Sequence, residues 1–312
     1  MRTILTLFIV IVALGVGVAA IPAAGGGDDR DGLDVVATTP QAADFVRAVA
    51  GDRARVTQLV AANADPHGYE PRPSDAEALA GADLIVRSGA DADGWLDPLV
   101  SSSGGEAPVL ALADHVRLID GSEDGDPPDP HWWQDPRNAR LAVAAIGREL
   151  DRIEPAAAPA FATSARRYEH RLERLDRRIA ACVGTVPAAE RRIVTSHDAL
   201  AYYGRRYGIE IVGTALPALT TGAQASAGAV ADLVATIEAE GVRAVFPEAG
   251  AGAGLERAIA GQAGARLGAP LWTDTLAPPG SPAATYIGSL VANTRAIVAG
   301  LGGGRAGCRL RG

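Results

Sequence analysis

Lysine is absent from this chain of 312 residues, and all 29 of its basic side chains are arginine. That bias reflects coding composition rather than a binding function. Aromatic residues make up only 4%, and 37 acidic against 29 basic side chains give a net charge of -8. A chain so acidic and so poor in rings lacks the electrostatic footprint of a nucleic-acid binder. With two cysteines, Cys182 and Cys308, far apart in sequence, a thiolate metal site is excluded as well. Histidine is scarce, five in all, and no His-Glu-x-x-His helix is present. No tandem repeat of fixed short period occurs.

What is present is a 48% hydrophobic chain long enough to bury a large core, and the expectation is two lobes. Met1-Arg2 precedes an uncharged stretch, apolar through Ile21, and then Asp28-Asp29-Arg30-Asp31, the pattern of an export signal. The expected location is therefore the periplasm or the outer face of the cytoplasmic membrane. Val18-Ala19-Ala20 offers a cleavage site, while the length of the segment leaves an uncleaved anchor open. No Cys lies near residue 20 to accept a lipid. Cys182 and Cys308 are free to pair in an oxidising compartment, and the sequence leaves paired and unpaired states open.

From Leu33 onward, short β-branched runs alternate with helical patterns, which predicts an α/β fold with mostly parallel sheets flanked by helices. Strands are expected at 33–37, 56–60, 83–88 and 109–111, with helices at 41–50, 95–100 and 137–152. Ser74-Asp75-Ala76-Glu77 reads as a capping box opening another short helix. Residues 121–130 hold no apolar side chain and three prolines, so they form a loop. Over 157–181, Phe161, Tyr168, Leu172, Leu175 and Ile179 fall on one stripe, predicting a long connector helix with a solvated arginine-rich face. A second unit follows, with strands at 192–195, 209–214, 242–246 and 270–272 and helices at 198–207, 226–240, 255–267 and 285–301. Residues 217–228 read as the mobile loop. The expected organisation is a signal or anchor (1–27), an N-terminal lobe (32–155), a connector (156–182), a C-terminal lobe (183–302) and a tail (303–312).

Four residues then stand out: His67 and His131, each in Asp-Pro-His, His197 in Thr-Ser-His-Asp, and Asp274 in Trp-Thr-Asp. Three imidazoles and a carboxylate suffice to close a transition-metal site. Their spacings of 64, 66 and 77 residues mean that only a fold can unite them. Each is compatible with the carboxyl end of a parallel strand, where such sheets bind ligands, and a cleft between two lobes would bring them together. His197 is further expected at a helix N-terminus, whose dipole keeps an imidazole neutral. The residues alone leave this reading and that of isolated surface histidines both open. His115 and His170, which follow no strand end, read as surface residues.

The motifs resemble those of the solute-binding proteins of zinc and manganese ABC importers, the cluster A-I family. The resemblance runs from about Val35 to Leu301. It is carried by Asp65-Pro66-His67-Gly68-Tyr69-Glu70-Pro71, Asp129-Pro130-His131-Trp132-Trp133, Ser196-His197-Asp198-Ala199, Val245-Phe246-Pro247-Glu248 and Thr273-Asp274-Thr275-Leu276. It implies two α/β lobes, one long linking helix and one metal in the cleft, held by His67, His131, His197 and Asp274. Manganese-specific members often carry Glu at the third position, so His197 favours Zn2+ over Mn2+. Unlike many zinc-specific relatives, this chain has no His in the acidic loop at 121–130. Glu248 is expected to hydrogen-bond a ligand or a nearby Arg rather than coordinate.

The resemblance implies a non-enzymatic, monomeric receptor that captures a divalent metal ion and delivers it to an ABC permease and its ATPase. A manganese receptor is the alternative. From other classes, the rivals are a zinc-dependent hydrolase, with Glu248 as its evident base, and a metal-stabilised surface adhesin.

Overall fold

Two four-stranded sheets with the same strand order organise the chain. The computed structural model describes residues 32–120, 127–216, 218–221, 224–302, 308 and 310. The expected signal at 1–27, part of the acidic loop (121–126), part of the loop at 217–228 and most of the tail lie outside these residues. In the first sheet, β1 (Leu33–Ala37), β2 (Ala54–Gln58), β3 (Leu84–Arg87) and β4 (Val109–Ala111) run in the order β2-β1-β3-β4. In the second, β5 (Arg192–Thr195), β6 (Glu210–Thr214), β7 (Ala244–Phe246) and β8 (Arg266–Leu267) run in the order β6-β5-β7-β8. Every pairing is parallel. Parallel strands need crossovers, and the helices supply them.

Those helices are α1 (Pro40–Ala50), α2 (Pro73–Ala80), α3 (Leu96–Ser103), α4 (Pro136–Ile153), α5 (Ala158–Val183), α6 (Ala201–Tyr207), α7 (Ala227–Glu240), α8 (Gly254–Gln262) and α9 (Tyr286–Gly302). Local chemistry sets several starts. Thr39 accepts the Ala42 amide ahead of Pro40, Asp135 accepts that of Arg137 ahead of Pro136, and Ser226 accepts that of Ala229. No helix among the described residues is long and apolar enough to cross a membrane.

The connector is α5, 26 residues long, with Phe161, Tyr168, Leu172, Leu175 and Ile179 all buried. Its expected stripe is therefore the buried face, and each fully buried side chain on it contributes roughly 1.5–3 kcal/mol. One continuous core includes this stripe together with Val35 and Val86 of the first sheet, Ile193 and Phe246 of the second, and Leu290 and Ile297 of α9. Asp44 of α1 ties the same layers by polar contacts, accepting from the Tyr168 hydroxyl at 2.9 Å and the Tyr286 amide at 3.1 Å. Cys182, at the end of α5, is disulfide-bonded to Cys308, with their Cα atoms 5.2 Å apart.

Three expectations need correction. The capping box at Ser74 and Glu77 is displaced by two residues, because α2 starts at Pro73 with Arg72 at its N-cap. Asp75 is then the residue that reaches back, accepting from the Arg72 amide and the Tyr69 hydroxyl, both at 2.7 Å. The helix expected over 255–267 stops at Gln262. Gly264, at φ +65°, turns the chain, and Arg266–Leu267 pairs with β7 as an edge strand. The strand expected at 270–272 is a single bridge between Leu271 and Glu248. Backbone bonds hold it at Leu271, whose amide donates to the Pro247 carbonyl at 2.9 Å and whose carbonyl accepts from the Ala249 amide at 2.8 Å, and a side chain holds the next residue: Asn293 of α9 accepts from the Trp272 amide and donates to its carbonyl, each at 2.8 Å.

Candidate metal centre

His67 and His131 arrive by the same device. In each Asp-Pro-His, the Asp side chain accepts the backbone N–H of the His two residues on, at 2.9 Å for Asp65 and 2.8 Å for Asp129. Such a closed loop, with the Pro fixing its own φ, aims the imidazole without a regular element. Trp95 further pins the first turn, donating its indole N–H to the Pro66 carbonyl at 3.0 Å. Contacts with the second half hold it too: Asn63 donates to the Leu276 carbonyl at 2.9 Å, and the Thr221 hydroxyl bonds the Asp65 carboxylate.

His197 stands two residues past β5, in the bend before α6. That helix begins at Ala201, so His197 is not at its N-terminus as expected from sequence. The preceding residue is tethered instead, since the Ser196 hydroxyl donates to the Glu256 carboxylate at 2.5 Å. Asp274 follows the bridged segment at Leu271.

The structure brings all four residues together. One ligand atom from each of His67, His131, His197 and Asp274 lies within 4.8 Å of every other. The Asp274 carboxylate is 2.9 Å from His197 Nε2, 3.3 Å from His131 Nε2 and 3.6 Å from His67 Nε2. None of these approaches has hydrogen-bond geometry. All three Nε2 atoms and both Asp274 oxygens are buried without a hydrogen-bond partner. Five convergent orphans are costly in a folded protein unless an ion satisfies them. The other edge of His131 is satisfied, with Nδ1 2.7 Å from Asp129 Oδ1.

The electrostatics follow from one anion among three imidazoles. Burial opposes charging of His131, but Asp274 and Asp129 outweigh it and raise its pKa to about 10. His197 is raised in the same way, burial opposing and Asp274 prevailing, rather than being kept neutral by a helix dipole. Burial lowers His67, with Asp274 opposing. Asp274 itself is held well below the usual carboxylate range: burial opposes this, but His197 and His131 win.

Glu248 lies two residues past β7, and its partner is neither a ligand nor an arginine. It accepts from the backbone amide of Thr273 at 3.2 Å and from the Thr273 hydroxyl, next to Asp274 in sequence. Burial, then the neighbouring Asp274 charge, pushes Glu248 up to about 8. His115 closes a short 3-10 turn and is exposed, and His170 stands exposed on α5 beside Glu173, so neither joins the centre. Sequence reasoning assigned no role to Trp133, Gln134, Thr273 or Glu256. These residues act through backbone and hydroxyl contacts between distant segments, and no spacing rule signals that.

Comparison with known proteins identifies the family. The family model described as "ZnuA: Zinc-uptake complex component A periplasmic" matches residues 35–300. The manganese-binding lipoprotein MntA of Halalkalibacterium halodurans is 29% identical over 277 residues, covering 89% of this chain and 91% of the relative. The iron ABC transporter substrate-binding lipoprotein MtsA of Streptococcus pyogenes is 25% identical over 279 residues, covering 87% and 89%. The zinc-binding protein TroA of Treponema pallidum is 29% identical over 278 residues, covering 87% and 90%. Its solved structure superposes with a TM-score of 0.81, covering 86% of this chain and 99% of that one. The family consists of receptors that work with an ABC permease and ATPase, not of enzymes. The chain belongs to this ZnuA family of metal-binding ABC substrate-binding proteins.

Proposed function

We propose that this protein is the extracytoplasmic receptor of an importer for zinc, which it binds through His67, His131, His197 and Asp274 and hands to a membrane permease. The observation that carries this reading is the convergence of five buried, unpartnered ligand atoms. Such a set leaves no protein donor to spare and no need for water in the coordination sphere, which suits carriage rather than hydrolysis. Three imidazoles with a single carboxylate favour zinc, whereas harder oxygen-rich sets favour manganese.

Manganese is the second reading, and its support is the similarity to a relative named as manganese-binding. Competitive titration of the metal-free protein with zinc and manganese separates the two. Zinc is expected to win in the native protein, and a His197→Glu variant is expected to shift the balance toward manganese. Manganese outcompeting zinc in the native protein would reverse the assignment.

A further inference from the structure

Gln134 is fully buried, yet its side chain is only half satisfied. Its Nε2 donates to the Thr273 carbonyl at 2.7 Å, while its Oε1 finds no hydrogen-bond partner among the described residues. The orientation follows from chemistry, because a carbonyl can only face the amide nitrogen. A buried amide with an unpaired oxygen costs stability, and an apolar side chain of the same size would avoid that cost. Filling the space therefore gives no reason for a glutamine here.

Its contact does give one. The Thr273 oxygen belongs to the planar peptide that also contains the Asp274 nitrogen, so gripping that oxygen orients the backbone from which Asp274 projects. Trp133 Nε1 donates to the same oxygen at 2.7 Å, so two donors occupy both of its lone pairs. From the other side, Glu248 takes the Thr273 amide and hydroxyl. Trp133 and Gln134 lie two and three residues after His131, in the 3-10 turn Trp132–Gln134. The grip thus links two candidate ligands that are 143 residues apart in sequence and whose facing atoms stand 3.3 Å apart.

We infer that Gln134, with Trp133, is a positioning residue for metal retention, holding Asp274 in register with His131 through the Thr273 carbonyl. The inference rests on the reading of the quartet as metal ligands. The spacing of the His131 and Asp274 ligand atoms is then set before an ion arrives, and an ion leaving must do so without help from motion of this pair.

The test is Gln134→Leu, close in size and without the donor, with Trp133→Phe as the second variant. Three quantities are measured: melting temperature of the metal-free protein, amide hydrogen exchange over residues 273–275 in the metal-free protein, and the dissociation rate of zinc into a chelator. For Gln134→Leu, the expected result is an unchanged or higher melting temperature, faster exchange, and zinc release about tenfold faster, since about one net hydrogen bond is lost. Trp133→Phe should accelerate exchange and release in the same direction. Native exchange or native zinc release in Gln134→Leu overturns the proposal. So does release that quickens only alongside a lowered melting temperature, which marks a structural role. A His131→Ala control that retains native zinc affinity would sink the ligand reading, and metal retention with it, whereas the exchange result tests the grip itself.

Discussion

Asp129 grips His131 twice with one oxygen: Oδ1 accepts the backbone N–H at 2.8 Å and lies 2.7 Å from the ring Nδ1. With Nδ1 engaged, Nε2 is the atom left to face the centre, and the carboxylate raises its basicity. The Tyr202 hydroxyl in turn donates to the Asp129 carbonyl at 2.8 Å, so the Asp is itself held.

Asp129→Ala is accordingly expected to weaken zinc binding by about 10- to 100-fold while leaving the four ligands in place. Competition against a chromophoric chelator measures this. Undiminished affinity would show that the ring needs no outer partner.

Protons compete with the metal at the same atoms. His131 is raised to about 10, which favours an imidazolium there at neutral pH in the metal-free protein, whereas coordination needs neutral rings. Metal binding should therefore release protons, and apparent affinity should fall as pH falls. For the metal-free fold the sign is opposite. A group raised in the folded state stabilises fully below its unfolded value, here 6.5 for His131, and that contribution is lost as pH rises through about 10. Calorimetric titration of zinc in buffers of different ionisation enthalpy reads the proton release. Thermal melts of the metal-free protein at pH 6 and pH 10 read the second effect.

The disulfide closes a loop of 126 residues and fixes the C-terminal segment to the end of α5. Cys308→Ser is expected to lower unfolding stability by about 2–4 kcal/mol, chiefly by freeing the unfolded chain. Urea denaturation of the variant and the oxidised native protein provides the comparison, and equal midpoints would contradict the expectation.

Much of this was legible from residues. The parallel α/β alternation and the connector stripe from Phe161 to Ile179 follow from periodicity, whereas the four converging residues were left open by the residues alone and singled out by the family resemblance. The misplacements have local physical causes. The start at Pro73 moved a cap by two residues to Arg72, Gly264 ended a helix early, and the strand expected at 270–272 is one bridge supplemented by side-chain contacts from Asn293 and Glu248. Glu248 bonds Thr273 rather than a ligand or an arginine, and a backbone-and-hydroxyl partner 25 residues on has no sequence signature. The disulfide was undecidable for the same reason: pairing depends on a Cα separation that only the fold supplies. His197 was read as a neutral ring at a helix end, but α6 begins only at Ala201, and burial, which favours the neutral ring, is outweighed by the adjacent Asp274.

One ion is expected to bind at His67, His131, His197 and Asp274. The most direct measurement is a crystal structure of the zinc-loaded protein with anomalous diffraction at the zinc edge. A single peak is expected within bonding distance, about 2.0–2.2 Å, of the three Nε2 atoms and an Asp274 oxygen. A peak elsewhere, or a centre that stays empty at saturating zinc, would contradict it.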